Sequence, residues 1–141
     1  MNSVGEFQSA RDYLNDSARF GGLLEGYRPR EAQLRMADAV AEAIEARGTL
    51  LVGAETGTGK TLAYLVPAIL SRQRVLISTG TKNLQEQIFF KDVPALRDAL
   101  DVPFTATYMK GRANYLCLHR LDHLTETPGP AFHDVFLPII R

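Results

Sequence analysis

Ala54-Glu55-Thr56-Gly57-Thr58-Gly59-Lys60-Thr61 follows a short apolar run, residues 49–54, that reads as a buried strand, and it opens a stretch, 60–71, whose apolar residues recur at helical spacing. The segment fits the phosphate-binding-loop template, with alanine in the first slot where the strict pattern has glycine. Small residues are needed there because consecutive backbone N–H groups must turn inward around phosphate oxygens, and the following helix N-terminus adds positive potential. Gly57 and Gly59 meet that need, with Ala54, Thr56 and Thr58 completing the cradle. Lys60 is expected to place its ammonium on the β and γ phosphates, and Thr61 to ligate the Mg²⁺ that bridges them. An accidental match arises in roughly 1% of chains this long. The strand before the loop and the helix after it separate it further from a structural glycine turn. Kinases, GTPases, transporters and helicases share such loops, so the loop alone does not choose a reaction.

Outward from the loop, helices and strands alternate. Upstream, 30–47 is a predicted helix: Leu34, Ala37, Val40, Ala41 and Ile44 recur at three- and four-residue steps, Arg28-Pro29 precedes it and Gly48 suits its stop. A shorter leading helix is expected over 7–20, ending at Gly21-Gly22. Downstream, 74–79 reads as a second strand, Thr81 as the cap of a helix interrupted at Asp92-Val93-Pro94, 95–100 as its continuation, and 104–109 as a third strand. Residues 113–124 are a candidate helix, 125–130 are turn-rich, and 131–141 show no pattern. Strands alternating with helices imply a parallel α/β sheet flanked by helices on both faces.

With 141 residues and 45% apolar content, the chain can bury one core of ordinary size. Sixteen basic and sixteen acidic residues cancel, so any surface for a polyanion must be local. No run of about 18 consecutive apolar residues occurs and residues 1–10 lack a cationic flank, so a soluble cytoplasmic protein without membrane contact is expected. A single cysteine, Cys117, excludes an internal disulfide. His119 and His123 are spaced to share a helix face, but Arg120 stands where a zinc-protease pattern has glutamate, and a solvated face is the expectation.

Three further segments choose among phosphate-loop families. Tyr27-Arg28-Pro29-Arg30-Glu31-Ala32-Gln33 resembles the Q motif of superfamily 2 helicases, in which the glutamine reads the adenine edge and the neighbouring aromatic or arginine packs on the base. The resemblance implies ATP, with Tyr27, Arg28 and Gln33 at the base; a carboxamide can donate and accept at once, as adenine requires. Taken alone, the segment is also an ordinary helix start with a solvated glutamine. Residues 77–87, Ile-Ser-Thr-Gly-Thr-Lys-Asn-Leu-Gln-Glu-Gln, resemble motif Ia of the same enzymes, implying that Thr79, Thr81 and Lys82 hold phosphates of single-stranded DNA. A plain capped strand-to-helix turn is the alternative. Lys110-Gly111-Arg112-Ala113-Asn114-Tyr115-Leu116-Cys117 is similar to the segment carrying the first cluster cysteine of DinG/YoaA-type, XPD-like iron-sulfur helicases. Lys110 and Arg112 form the nearest thing to a local basic patch. A lone cysteine is more often a small buried hydrophobe, and a 4Fe-4S cluster takes four ligands, so Cys117 would serve only beside three more cysteines.

The resemblance runs from about Tyr27 to His123 with its motifs in family order, and the YoaA branch is most similar. Members commonly place glutamate before the loop alanine and glycine after it; here Gly53 precedes Ala54 and Glu55 follows, setting a carboxylate near the phosphates. It implies an incomplete RecA-like P-loop NTPase domain with the start of an iron-sulfur domain: a leading helical segment at 1–26, the N-terminal part of the first helicase domain at 27–109, and the cluster-domain start at 110–141. The implied activity is that of an ATP-dependent DNA helicase in DNA repair, a hydrolase acting on single-stranded DNA or duplex junctions with no small-molecule substrate other than ATP. No DEAH-type motif or second RecA-like domain occurs before Arg141, so an N-terminal fragment without appreciable turnover of its own is expected. The alternative is a non-catalytic nucleotide- or partner-binding module.

Overall fold

The computed structural model describes residues 9–22 and 26–126. These fall into two compact units, Met1–Tyr108 and Met109–Arg141, each taken by itself.

In the first unit, helix α1, Ala10–Asn15, begins with a capping box: the Asp12 N–H donates to the Ser9 hydroxyl at 3.2 Å and the Ser9 N–H to the Asp12 carboxylate at 2.9 Å. The Asp12 carboxyl is held below its usual range by the Ser9 hydroxyl and backbone donors. The expected single leading helix is split, because Asp16 turns out of the helix and caps α2, Ser17–Gly21, accepting from the N–H groups of Ala18 and Arg19. Residues 7 and 8 of that expectation lie outside the described residues. Extended Arg30 leads into α3, Glu31–Glu45, and α4 is Lys60–Leu70.

Helix α3 packs along α4, and α1 packs on both. Leu14 and Phe20, from the leading segment, are fully buried with Val66, Leu96 and Leu100. Each such side chain contributes about 1.5–3 kcal/mol of burial. Arg11 pins α1 to α3 through Glu31 and Asp38, each at 2.8 Å, and these bonds raise its pKa.

The interruption expected at Asp92-Val93-Pro94 is not a break. Helix α5, Lys82–Gln87, widens into a π-helical turn, Ile88–Asp92, and runs on as α6, Val93–Leu100. Pro94 lacks an N–H and sits in the first turn of α6, so the preceding turn takes the wider i→i−5 bond from the Val93 N–H to the Ile88 carbonyl.

The sheet is where the fold departs from expectation: among the described residues no strand ladder forms over 49–54, 74–79 or 104–109. Side-chain direction nevertheless alternates as in a strand. Leu51 is 98% exposed between Leu50 at 41% and Val52 at 38%, and Leu76 is 95% exposed between Val75 at 48% and Ile77 at 38%. Leu50, Val52 and Val75 line an open cleft with Met36, Val40 and Ile44 of α3. One side of each segment thus leans on the helices, while among the described residues the other has no layer against it. A strand is held by its neighbour's N–H and C=O groups, and alternation alone does not supply them.

In the second unit, a 3₁₀ turn at Arg112–Asn114 precedes α7, Leu118–Glu126. The helix expected at 113–124 therefore starts later, after a tight turn in which the Gly111 carbonyl accepts from Asn114 at 2.9 Å.

Candidate nucleotide-binding site

The phosphate loop turns on two left-handed glycines, Gly57 at φ 82° and Gly59 at φ 81°, and Gly59 is the N-cap of α4. Only glycine adopts this backbone without strain. At Gly59 there is also no room: a Cβ would lie 2.3 Å from Nε2 of Gln33. The Lys60 ammonium folds back over the loop and donates to the carbonyls of Ala54 at 2.7 Å and Glu55 at 2.6 Å, while the Thr58 hydroxyl donates to the Glu55 carbonyl at 2.9 Å. The Glu55 carbonyl is thus drawn toward Lys60, and Thr56 lies exposed beside it. Thr61 is in the first turn of α4, half-buried. One turn on, burial pushes the Tyr64 phenol up, against a hydrogen bond with Thr61 that lowers it, and the charge of Asp92 raises it further.

Residues far upstream reach the same loop. Gln33 is 3% exposed and donates from Nε2 to the Gly59 carbonyl at 3.1 Å. The Tyr27 hydroxyl lies 2.6 Å from the Leu14 carbonyl and 3.3 Å from Oε1 of Gln33, and the Tyr27 ring tilts against Phe20 at 4.9 Å between centroids. Burial pushes the Tyr27 phenol up to about 12, so it remains protonated at neutral pH. Arg30 donates from Nη1 to the Gly57 carbonyl. The structure therefore gathers Tyr27, Gln33, Gly57, Gly59 and Lys60 into one place; Arg28 is exposed on the extended segment before α3. Arg30 and the anchors Leu14 and Phe20 were not among the expected site residues. Arg30 was detectable in principle, since it lies three positions before Gln33, whereas a contact through the Leu14 backbone carbonyl carries no side-chain signal.

The donor set fits a nucleoside triphosphate with Mg²⁺. Two cations converge on the loop, two glycines leave its backbone free to turn, and Thr61 offers a hydroxyl at the start of α4.

At the second expected contact region, the Thr79 hydroxyl donates to the Thr81 carbonyl at 3.1 Å, and the Thr81 hydroxyl caps α5 by accepting from the Leu84 N–H at 3.2 Å. Lys82 is exposed at the first residue of that helix. In the second unit, the Lys110 N–H donates to the Tyr115 hydroxyl at 2.9 Å, Arg112 is exposed in the 3₁₀ turn, and Cys117 is an exposed free thiol. His119 and His123 stack edge-on at 5.4 Å between ring centroids. Among the described residues no group of three His, Cys, Asp or Glu side chains could hold a metal. One thiol in the whole chain does not fit a four-ligand cluster.

The DEAD/DEAH box helicase family matches residues 32–136, a span that takes in Gln33, the phosphate loop and the turn at Thr79–Lys82. The chain belongs to the DEAD/DEAH box helicase family. Within it, the chain is 48% identical over 120 residues to the ATP-dependent DNA helicase YoaA of Haemophilus influenzae, covering 80% of this chain. It is 50% identical over 99 residues to YoaA of Escherichia coli, covering 70% of this chain. Over 106 residues, 72% of this chain, it is 41% identical to the 3'-5' exonuclease DinG of Bacillus subtilis. The chain spans 19%, 16% and 11% of the lengths of these DEAD/DEAH box relatives. No solved structure matches. No helix among the described residues is long and apolar enough to cross a membrane.

Proposed function

We propose that this chain is the ATP-binding portion of an ATP-dependent DNA helicase that couples ATP hydrolysis to movement along single-stranded DNA and to duplex opening. The observation that carries the reading is the junction of Gln33 with the phosphate loop, a buried carboxamide 3.1 Å from the carbonyl of Gly59, the residue before Lys60. This contact supports the reading that base and phosphate recognition share one site.

In this reading, incoming phosphates draw Lys60 off the Ala54 and Glu55 carbonyls, and the ammonium moves to the β and γ oxygens. Backbone N–H groups of 56–61 hold the remaining phosphate oxygens, the Thr61 hydroxyl faces the metal, and Gln33 and Tyr27 hold adenine with Arg28 beside them. Mg²⁺, when bound, neutralises charge developing on the transferred phosphoryl group. Thr79, Thr81 and Lys82 grip the DNA backbone without reading sequence, and Lys110 and Arg112, in the second unit, are separate candidate contacts. The segments 49–54, 74–79 and 104–109 are strands of a parallel sheet completed in a longer protein. Cys117 would ligate a 4Fe-4S cluster only there, with three further cysteines. The setting is a cytoplasmic enzyme of DNA repair.

The test is titration of the chain with ATP in the presence and absence of Mg²⁺. Metal-dependent binding that Lys60→Ala weakens by about 10- to 100-fold is expected, the size of a lost charge-assisted contact. Steady-state hydrolysis by this chain alone should stay near background. Turnover at the rate of an intact helicase would overturn that.

A further inference from the structure

The two ends of the phosphate loop are held from different places. At its start, the Ala54 and Glu55 carbonyls accept from the Lys60 ammonium at 2.7 and 2.6 Å, a donor within the loop itself. Further on, the Gly57 carbonyl accepts from Nη1 of Arg30, and the Gly59 carbonyl from Nε2 of Gln33 at 3.1 Å. Arg30 is the N-cap of α3 and Gln33 lies in its first turn, so one helix start holds the second half of the loop.

Holding a carbonyl also aims an N–H. A trans peptide is planar, and its C=O points opposite to the N–H of the next residue. With the Gly57 carbonyl turned to Arg30, the Thr58 N–H therefore faces the other way, and the Gly59 carbonyl sets the Lys60 N–H by the same geometry. Gly57 at φ 82° and Gly59 at φ 81° flank Thr58, and left-handed residues of this kind curl successive N–H groups into an anion-holding concavity. Glycine puts little resistance on rotation of the plane between Gly57 and Thr58. Without a donor on its oxygen, that plane is free to turn its carbonyl toward an incoming anion, which repels it. Lys60 has to leave its carbonyls to reach a phosphate; Arg30 does not have to move.

We propose that Arg30 is a positioning residue for the polyphosphate: by holding the Gly57 carbonyl it aims the Thr58 N–H into the loop before the phosphates arrive, without touching the nucleotide. The inference rests on the reading of residues 54–61 as a phosphate site. The side chain is exposed, so its loss leaves the packed core of α3 and α4 untouched.

The experiment is displacement of a fluorescent ATP analogue from the full chain by Mg·ATP and by Mg·tripolyphosphate, which carries the phosphates and no base. A wild-type chain that binds neither would sink the phosphate-site reading together with this inference. Arg30→Ala should weaken both ligands by the same factor, about 3- to 10-fold, the size of one hydrogen bond. In the ligand-free variant the amide NMR signal of Thr58 should shift or broaden, while that of Leu96, in the core of α6, stays where it is. Three results would each overturn the positioning role and leave the phosphate site standing. These are unchanged binding of both ligands, a loss confined to ATP, which makes Arg30 a contact to the base, and an equal loss with the Thr58 signal unmoved, which makes it a charge acting directly on the phosphates.

Discussion

Gln33 and Gly59, 26 residues apart, meet through a 3.1 Å hydrogen bond from the carboxamide nitrogen to the backbone carbonyl, and no atom fits between them. This contact explains why the last glycine before Lys60 is constrained twice, by its φ of 81° and by a neighbour that a Cβ would meet at 2.3 Å.

Gly59→Ala should therefore be the more damaging of the two loop substitutions. Gly57→Ala meets only Arg30 Nη1 at 4.0 Å, so it carries the left-handed strain of about 1–2 kcal/mol and little more. Gly59→Ala adds displacement of Gln33. Thermal denaturation and ATP titration of both variants check this ordering; equal losses would mean that Gln33 does not press on Gly59.

Asp92 is 5% exposed with Oδ2 unpartnered, and burial raises its pKa against the opposing Gln87 hydrogen bond and Lys91 charge. The folded pKa lies above the unfolded one, so the folded state binds the extra proton. The carboxyl's favourable contribution is therefore complete below the unfolded pKa and is lost as pH rises through the folded value. Asp92→Asn should melt higher than wild type at neutral pH, with the difference closing as pH falls toward 3.8. A constant difference across that range would show that the carboxyl is solvated.

Leu14→Ala, in a fully buried position of α1, should cost about 2–4 kcal/mol in denaturant unfolding. A cost within about 0.5 kcal/mol, as for a surface site, would mean that α1 is not part of the core.

Leu51→Ser and Leu76→Ser should behave oppositely. Both side chains are almost fully exposed, so the chain should lose less than about 0.5 kcal/mol and aggregate less, since exposed extended apolar segments invite pairing between molecules. A loss of several kcal/mol would show these leucines buried in solution.

The phosphate loop was legible because its chemistry is local. Turn, glycines, lysine and threonine are contiguous from 54 to 61, and the following helix starts at Lys60 as its spacing predicts. Helix α3 was legible for the same reason, its periodic Leu34 and Ala37 marking the face buried against the other helices. The split at Asp16 and the π-helical turn before Pro94 were not, because each depends on which backbone N–H finds which acceptor rather than on apolar spacing.

The sequence by itself determined the helix periodicity, the positive-φ glycines of the loop and the membership of Lys60 and Thr61 in it, since these follow from residue type and near-neighbour spacing. Only the tertiary structure decided that Arg30 and Gln33 reach the loop carbonyls while Leu14 and Phe20 hold Tyr27 beside Gln33, and that the apolar runs at 49–54 and 74–79 keep strand-like alternation without a ladder among the described residues. The physical reason is common to both. A hydrogen bond to a distant carbonyl, like the pairing of a strand, requires a partner whose position is set by packing across the fold.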